Sequence, residues 1–229
     1  MRKDCDDWRH TMRTNIQTIF ILLLFCIFVI GACNNSRDTA GEIPKTAAEQ
    51  KKAELLRQVQ HNYKDPEGHY QLGKVYQAEG LWEQAEHEFS VALSFDPVHR
   101  VSQAARVKTL LLSGDSAASK SAADSYMSEA FTSAKGALEL GMAFQKEGLD
   151  EYALAGYRRA LAMAPGSAKV NRQVGYYYLS KGEKDVAREY LVKSFRQNSN
   201  QPEVAKELGR LGVEVKTAPL TQNSPVKKK

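Results

Sequence analysis

A comb of glycines is the strongest constraint on what this chain folds into. Gly80, Gly114, Gly148 and Gly182 are each 34 residues apart. Gly73, Gly141, Gly175 and Gly209 fall on a second comb of the same period, with Val107 at the missing tooth, and Ala85, Ala153 and Ala187 form a third. Pro97 and Pro165 lie two periods apart. A fixed period of this length marks stacked supersecondary units, none of which buries its apolar face alone. The first comb suits the turn that ends one helix, where left-handed backbone carries no steric penalty for glycine. The other two remove bulk where paired helices approach, and Tyr76, Phe89, Phe144, Tyr157 and Tyr178 fill the space beyond.

The first unit carries Leu72-Gly73, Tyr76, Ala85, Phe89, Ala92 and Pro97; the third carries Leu140-Gly141, Phe144, Ala153, Tyr157, Ala160 and Pro165. The fourth carries Val174-Gly175, Tyr178, Ala187, Leu191 and Ser194, with Pro202 three residues late. This pattern resembles the tetratricopeptide repeat, a helix-turn-helix unit. The resemblance covers about two-thirds of the chain and implies an all-α fold, a right-handed superhelical solenoid of about four units with capping helices. The units are 66–99, 100–133, 134–167 and 168–201. The second is degenerate: Val107 stands where a small residue belongs, Ser119 where Ala belongs and Ala123 where a large residue belongs. Its Ser/Ala-rich second helix is expected to be looser. Residues 46–65 read as an N-terminal capping helix with Leu55, Leu56 and Val59 on one face, 202–212 as a C-terminal capping helix, and 213–229 as a disordered basic tail.

Ahead of the repeats, Ile19 to Ile30 is an unbroken apolar run preceded by Arg2, Lys3, Arg9 and Arg13. The run is too short for a typical spanning helix and fits a secretory signal, with the true start at Met1 or Met12. Ile30-Gly31-Ala32-Cys33 resembles the lipobox of bacterial lipoproteins. That resemblance implies a signal peptide over 1–32, triacylation of Cys33 with palmitate among the chains, and a polar tether over 33–45. By likeness to sorting patterns, Asn34 points to the periplasmic face of the outer membrane. An uncleaved anchor is the alternative. Cys5 and Cys26 leave with the signal, so one cysteine remains and no internal disulfide is expected.

Charge excludes one class of partner. Residues 66–212 hold 18 basic and 18 acidic side chains, no electrostatic footprint for nucleic acid. Within that balance the first unit has one basic and six acidic residues and the fourth seven basic and three acidic. Such polarity reads as steering of different partners or of two copies head to tail, or as drift among solvated residues.

No constellation names a reaction. His87-Glu88 is half of a helical zinc motif, but Val91 stands where the second histidine belongs. No cysteine or carboxylate cluster offers a metal cage, and no nucleophile elbow is present. The carboxylates of Glu83, Glu86, Glu88, Asp150 and Glu151 fall on polar helix faces, away from any desolvated pocket that would separate their pKa values. The chain is therefore read as a non-enzyme with no cofactor, no metal and no small-molecule substrate.

In tetratricopeptide proteins a groove is lined by set positions of each first helix. Carried onto this chain, those positions give a partner-binding surface of Tyr70, Lys74, Gln77, Lys108, Lys135, Met142, Gln145, Lys169, Arg172 and Tyr176. Aromatic and aliphatic anchors alternate there with Lys and Arg, which suits an extended peptide or a helix of acidic character. The alternative is that Tyr70 and Tyr176 merely pack between neighbouring helices. The paired basic residues and asparagines of carboxylate-clamping repeats are not reproduced. In architecture the chain is similar to small lipoproteins that assist assembly of type IV or Flp-type pili and secretion channels. The alternative role is an adaptor recruiting peptidoglycan hydrolases or proteases to the outer membrane.

Overall fold

The computed structural model describes residues 46–215. The predicted signal peptide, Cys33, the tether and residues 216–229 of the predicted tail lie outside the described residues. The chain divides into two compact units, 1–50 and 51–229. Of the first, only 46–50 are described: Thr46 Oγ1 accepts from the Glu49 amide at 3.2 Å and the Thr46 amide donates to Glu49 Oε2 at 2.7 Å, a reciprocal cap on the first helix.

Among the described residues there are ten helices and no strand. They are α1 (Ala47–His61), α2 (Pro66–Ala78), α3 (Trp82–Phe95), α4 (Arg100–Leu112), α5 (Ser116–Ala130), α6 (Ala134–Lys146), α7 (Asp150–Met163), α8 (Ala168–Ser180), α9 (Lys184–Gln197) and α10 (Pro202–Arg210). Helices α2/α3, α4/α5, α6/α7 and α8/α9 pair as antiparallel hairpins, and each hairpin packs on the next. The second unit is an all-α helical-repeat solenoid.

Local signals set the boundaries. Asp65, Ser133 and Ser167 accept a hydrogen bond from the backbone amide of Glu67, Gly136 and Val170, capping α2, α6 and α8. Each hairpin turns through a glycine of positive φ: Gly80 at 74°, Gly114 at 92°, Gly148 at 72° and Gly182 at 79°. Gly212, at 76°, ends α10 in the same way, four residues ahead of the comb because α10 is four residues shorter than the other first helices.

Packing explains the other combs. A β-carbon added at Gly73 would lie 2.6 Å from the Phe89 ring, and one at Gly175 would lie 2.7 Å from Leu191. In the third hairpin Gly156 joins Gly141, so that α6 and α7 approach backbone to backbone. Ala85, Phe89, Ala153, Tyr157, Ala187 and Leu191 are fully buried opposite these glycines.

The degenerate hairpin is regular, and its departures compensate one another. Val107 supplies the bulk on the first helix that Ala123 lacks on the second, and both are fully buried. The Ser119 hydroxyl donates to the Val107 carbonyl at 2.9 Å, so a polar residue occupies an alanine site with its oxygen satisfied.

A second periodic device is polar. Buried residues at the fourth position of three first helices donate to the carbonyl six residues upstream: His69 Nε2 to Tyr63 (2.9 Å), Gln103 Nε2 to Pro97 (2.7 Å) and Asn171 Nδ2 to Pro165 (2.8 Å). In the third hairpin Ala137 holds that position, and Arg159 Nε donates to the equivalent carbonyl, Phe131, at 3.0 Å. Three links thus have their bend tied to the helix they feed, and the link before α6 is tied to α7 instead.

Candidate functional site

Three first helices, α2, α4 and α6, lie side by side, with α4 packed against both of its neighbours. The residues predicted to line a groove on this face fall into three groups.

The first group is engaged within the molecule. Tyr70 is buried, and Lys146 Nζ donates to its hydroxyl at 3.0 Å while lying 5.3 Å from the ring centroid. The phenol above all, with Glu147 and Glu67 nearby, holds the Lys146 ammonium above its usual pKa against the opposing effect of burial. Lys74 Nζ reaches Glu147 Oε2 at 2.8 Å and Oε1 at 3.0 Å, and Gln77 Oε1 at 2.5 Å. Gln77 Nε2 donates onward to Thr109 Oγ1 at 2.9 Å. Gln145 accepts from the Tyr157 hydroxyl.

The second group meets the C-terminal cap. Arg172 donates to Gln201 Oε1 at 3.2 Å, and Tyr176 packs on the cluster formed by Leu191, Phe195, Val204 and Leu208. Burial pushes the Tyr176 phenol up. Tyr176 stays half-buried in that packing.

The third group stays open. Lys135 and Lys169 are exposed, Lys108 is half-buried, and Met142 keeps 38% of its surface. Met142 lines a hollow of about 420 Å³ between α4 and α6, together with His99, Arg100, Val101, Glu139, Ala143 and Lys146. The floor is apolar. The rim holds basic groups partly committed elsewhere: Arg100 pairs with Glu129, and His99 Nδ1 meets Ser102 Oγ at 2.7 Å. Such a hollow has the size and polarity for one aliphatic or aromatic side chain with charge beside it.

Sequence reasoning missed Lys146 and Glu147. The carried-over positions stop at Gln145, one residue short of the end of α6, so they pass over Lys146 and the capping residue Glu147. It also missed His69, which is buried between Glu88 (Nδ1 to Oε2, 2.7 Å) and the Tyr63 carbonyl. That carbonyl only accepts, so Nε2 carries a proton. His87 is exposed. Among the described residues no group of three or more His, Cys, Asp or Glu is placed to hold a metal ion, and no helix is long and apolar enough to cross a membrane. A larger hollow, about 740 Å³, lies beyond α10 beside Gly209, Gly212 and Val215, with no aromatic or basic side chain lining it.

No family model matches the chain, and no curated protein matches it. Solved structures with a similar trace include MamA, residues 41 to the end, from Desulfovibrio magneticus RS-1, at 21% identity and a TM-score of 0.36 over 67% of this chain and 87% of that one. Another is pilF of Pseudomonas aeruginosa, at 23% identity and a TM-score of 0.36 over 70% and 69%. A third is PilW, a widely conserved type IV pilus biogenesis factor, at 19% identity and a TM-score of 0.37 over 71% and 79%.

Proposed function

We propose that this protein is a non-enzymatic scaffold that binds a protein partner on its first-helix face while anchored to the cell envelope by an acylated Cys33. The observation that carries the reading is the hollow between α4 and α6, where Val101, Met142 and Ala143 form an apolar floor under a rim of charged side chains. Exposed Lys135 and Lys169 extend the basic character along the face, which suits an extended segment or helix with acidic residues. The lipobox-like Ile30-Gly31-Ala32-Cys33 and Asn34 are what supports a position at the periplasmic face of the outer membrane. There the partner is a component of a pilus or secretion complex, held near the bilayer for assembly.

A photo-crosslinking residue in place of Met142 tests the site in whole envelopes. The expected result is capture of one pilus or secretion subunit, with none from the exposed second-helix position His87. Capture from His87 alone overturns the site, and capture of a hydrolase or protease overturns the assembly role. Replacing Cys33 with Ala is expected to move the protein from the membrane to the soluble periplasmic fraction; retention of a lipid label in that variant defeats the anchor.

A further inference from the structure

The first-helix face is bridged by contacts that skip a repeat. Lys74 belongs to α2 in the first hairpin, whereas Lys146 ends α6 in the third and Glu147 is its C-terminal capping residue. Between them runs α4, whose Ala104, Ala105 and Thr109 are almost wholly buried.

Glu147 stands just before the turn glycine Gly148. The matching residues in the first and fourth hairpins, Glu79 and Lys181, also make ion pairs, with Lys52 and Asp150. Those side chains are 39% and 36% exposed, whereas Glu147 is 5% exposed. Its carboxylate has turned inward, where Lys74 binds both its oxygens. Next to it, Lys146 spends its ammonium on Tyr70. Two lysines that face the candidate site are therefore held by groups of the chain itself.

We propose that the Lys74–Glu147 and Lys146–Tyr70 contacts form a latch across α4, and that an acidic partner segment opens it by taking the place of Glu147 on Lys74 and of Tyr70 on Lys146. The proposal rests on the reading of this face as a protein-binding site. In the latched state Glu147 stands in for a partner carboxylate, and Lys146 at the edge of the apolar hollow is drawn towards Tyr70. A partner with carboxylates flanking one bulky apolar residue satisfies both lysines and the hollow together. Binding is then weakened by the fraction of molecules that are latched.

The test uses the full chain in detergent and a fluorescein-labelled octapeptide of alternating glutamate and leucine, followed by anisotropy. Glu147→Gln is expected to bind it about tenfold tighter than the parent chain, as removal of a latch closed in nine molecules of ten requires. Asp150→Asn removes the same charge and breaks the Lys181 pair off this face; it is expected to leave affinity within about twofold. The double substitution Lys74→Gln with Lys146→Gln is expected to abolish binding. Without peptide, the α4 amides of Glu147→Gln are expected to exchange faster than in the parent chain, and peptide is expected to restore them. Equal tightening by Glu147→Gln and Asp150→Asn overturns the latch, as does unchanged exchange in α4. Failure of the peptide to bind either the parent or Glu147→Gln overturns the proposed partner chemistry. If crosslinking from Met142 still captures an envelope protein in any of these cases, the binding site stands and the latch alone falls.

Discussion

A β-carbon costs very different amounts at the comb glycines, because the comb is a register of close approach and one tooth of it faces nothing. At Gly73 the added carbon would meet a Phe89 ring that is itself fully buried and has nowhere to go. At Gly209 no heavy atom lies within 4 Å. Gly73→Ala is therefore expected to destabilise the fold by about 1–3 kcal/mol through overpacking. Gly209→Ala is expected to stabilise it by about 0.4–1 kcal/mol by restricting the unfolded chain. Urea melts of both variants check this, and destabilisation by Gly209→Ala would show that the space beside α10 is filled. Val107 and Ala123 carry the same logic in reverse. Ala123→Phe alone is expected to cost about 1–3 kcal/mol, and Val107→Gly alone to leave a cavity. Together they restore the arrangement of the other hairpins, so the double variant is expected to fall short of the sum by at least about 1 kcal/mol. Additive losses in the double-mutant cycle would mean the two side chains do not share one space.

Among the elements, the hairpins were legible from the glycine and alanine combs because close helix packing admits few residue types, and the same few recur in every unit. The ties at the fourth position were not legible, since His69, Gln103 and Asn171 share only the ability to donate to a carbonyl, and Arg159 does that work from another helix in the third hairpin. The site was less legible still. Lys74 and Glu147 are 73 residues apart, so their meeting depends on how three hairpins stack, and mapping positions within one unit does not reach it. Tyr70 and Tyr176 sit at groove positions by count, yet one is buried under Lys146 and the other packs beside the terminal cap. The α7–α8 pair carries its own titration prediction. Burial pushes the Tyr157 phenol up to about 12, and Tyr177 and Tyr178 are raised in the same direction by the same cause. A raised phenol keeps its proton in the folded chain while the unfolded chain ionises at its ordinary value near 10. Stability from Tyr157 is fully present below about pH 10 and is lost as pH rises through about 12, and Tyr177 and Tyr178 act in the same direction. Tyr157→Phe is expected to flatten that alkaline decline in urea midpoints, at a cost near neutral pH of about 0.5–1.5 kcal/mol for the hydroxyl's bond to Gln145. An alkaline slope unchanged by the substitution would assign the decline to other tyrosines.

At the scale of the whole second unit, burial is distributed along the stack and does not gather into one core. Ala104, Leu140, Phe144, Tyr157 and Val174 belong to one cluster that runs from α4 to α8. Leu191, Phe195, Val204 and Leu208 form another, confined to α9 and α10 with Tyr176 and Leu179 at its edge. The α8–α9 hairpin is closely packed within itself, but only a small interface joins α7 to α8. In a stack stabilised by nearest-neighbour interfaces, opening one end leaves the rest folded, and the free energy of opening differs from hairpin to hairpin. Leu208 of the terminal cap is fully buried in the cluster it shares with Leu191 and Phe195 of α9. Leu208→Ala is expected to cost about 2–5 kcal/mol in the local opening of α9 and α10. The same substitution is expected to leave amide exchange in α6 and α7 almost unchanged, because their protection rests on the other cluster. Hydrogen exchange read helix by helix separates the two cases. Equal loss of protection throughout 51–215 would show a single cooperative unit, and the face formed by α2, α4 and α6 would then depend on the cap for its integrity.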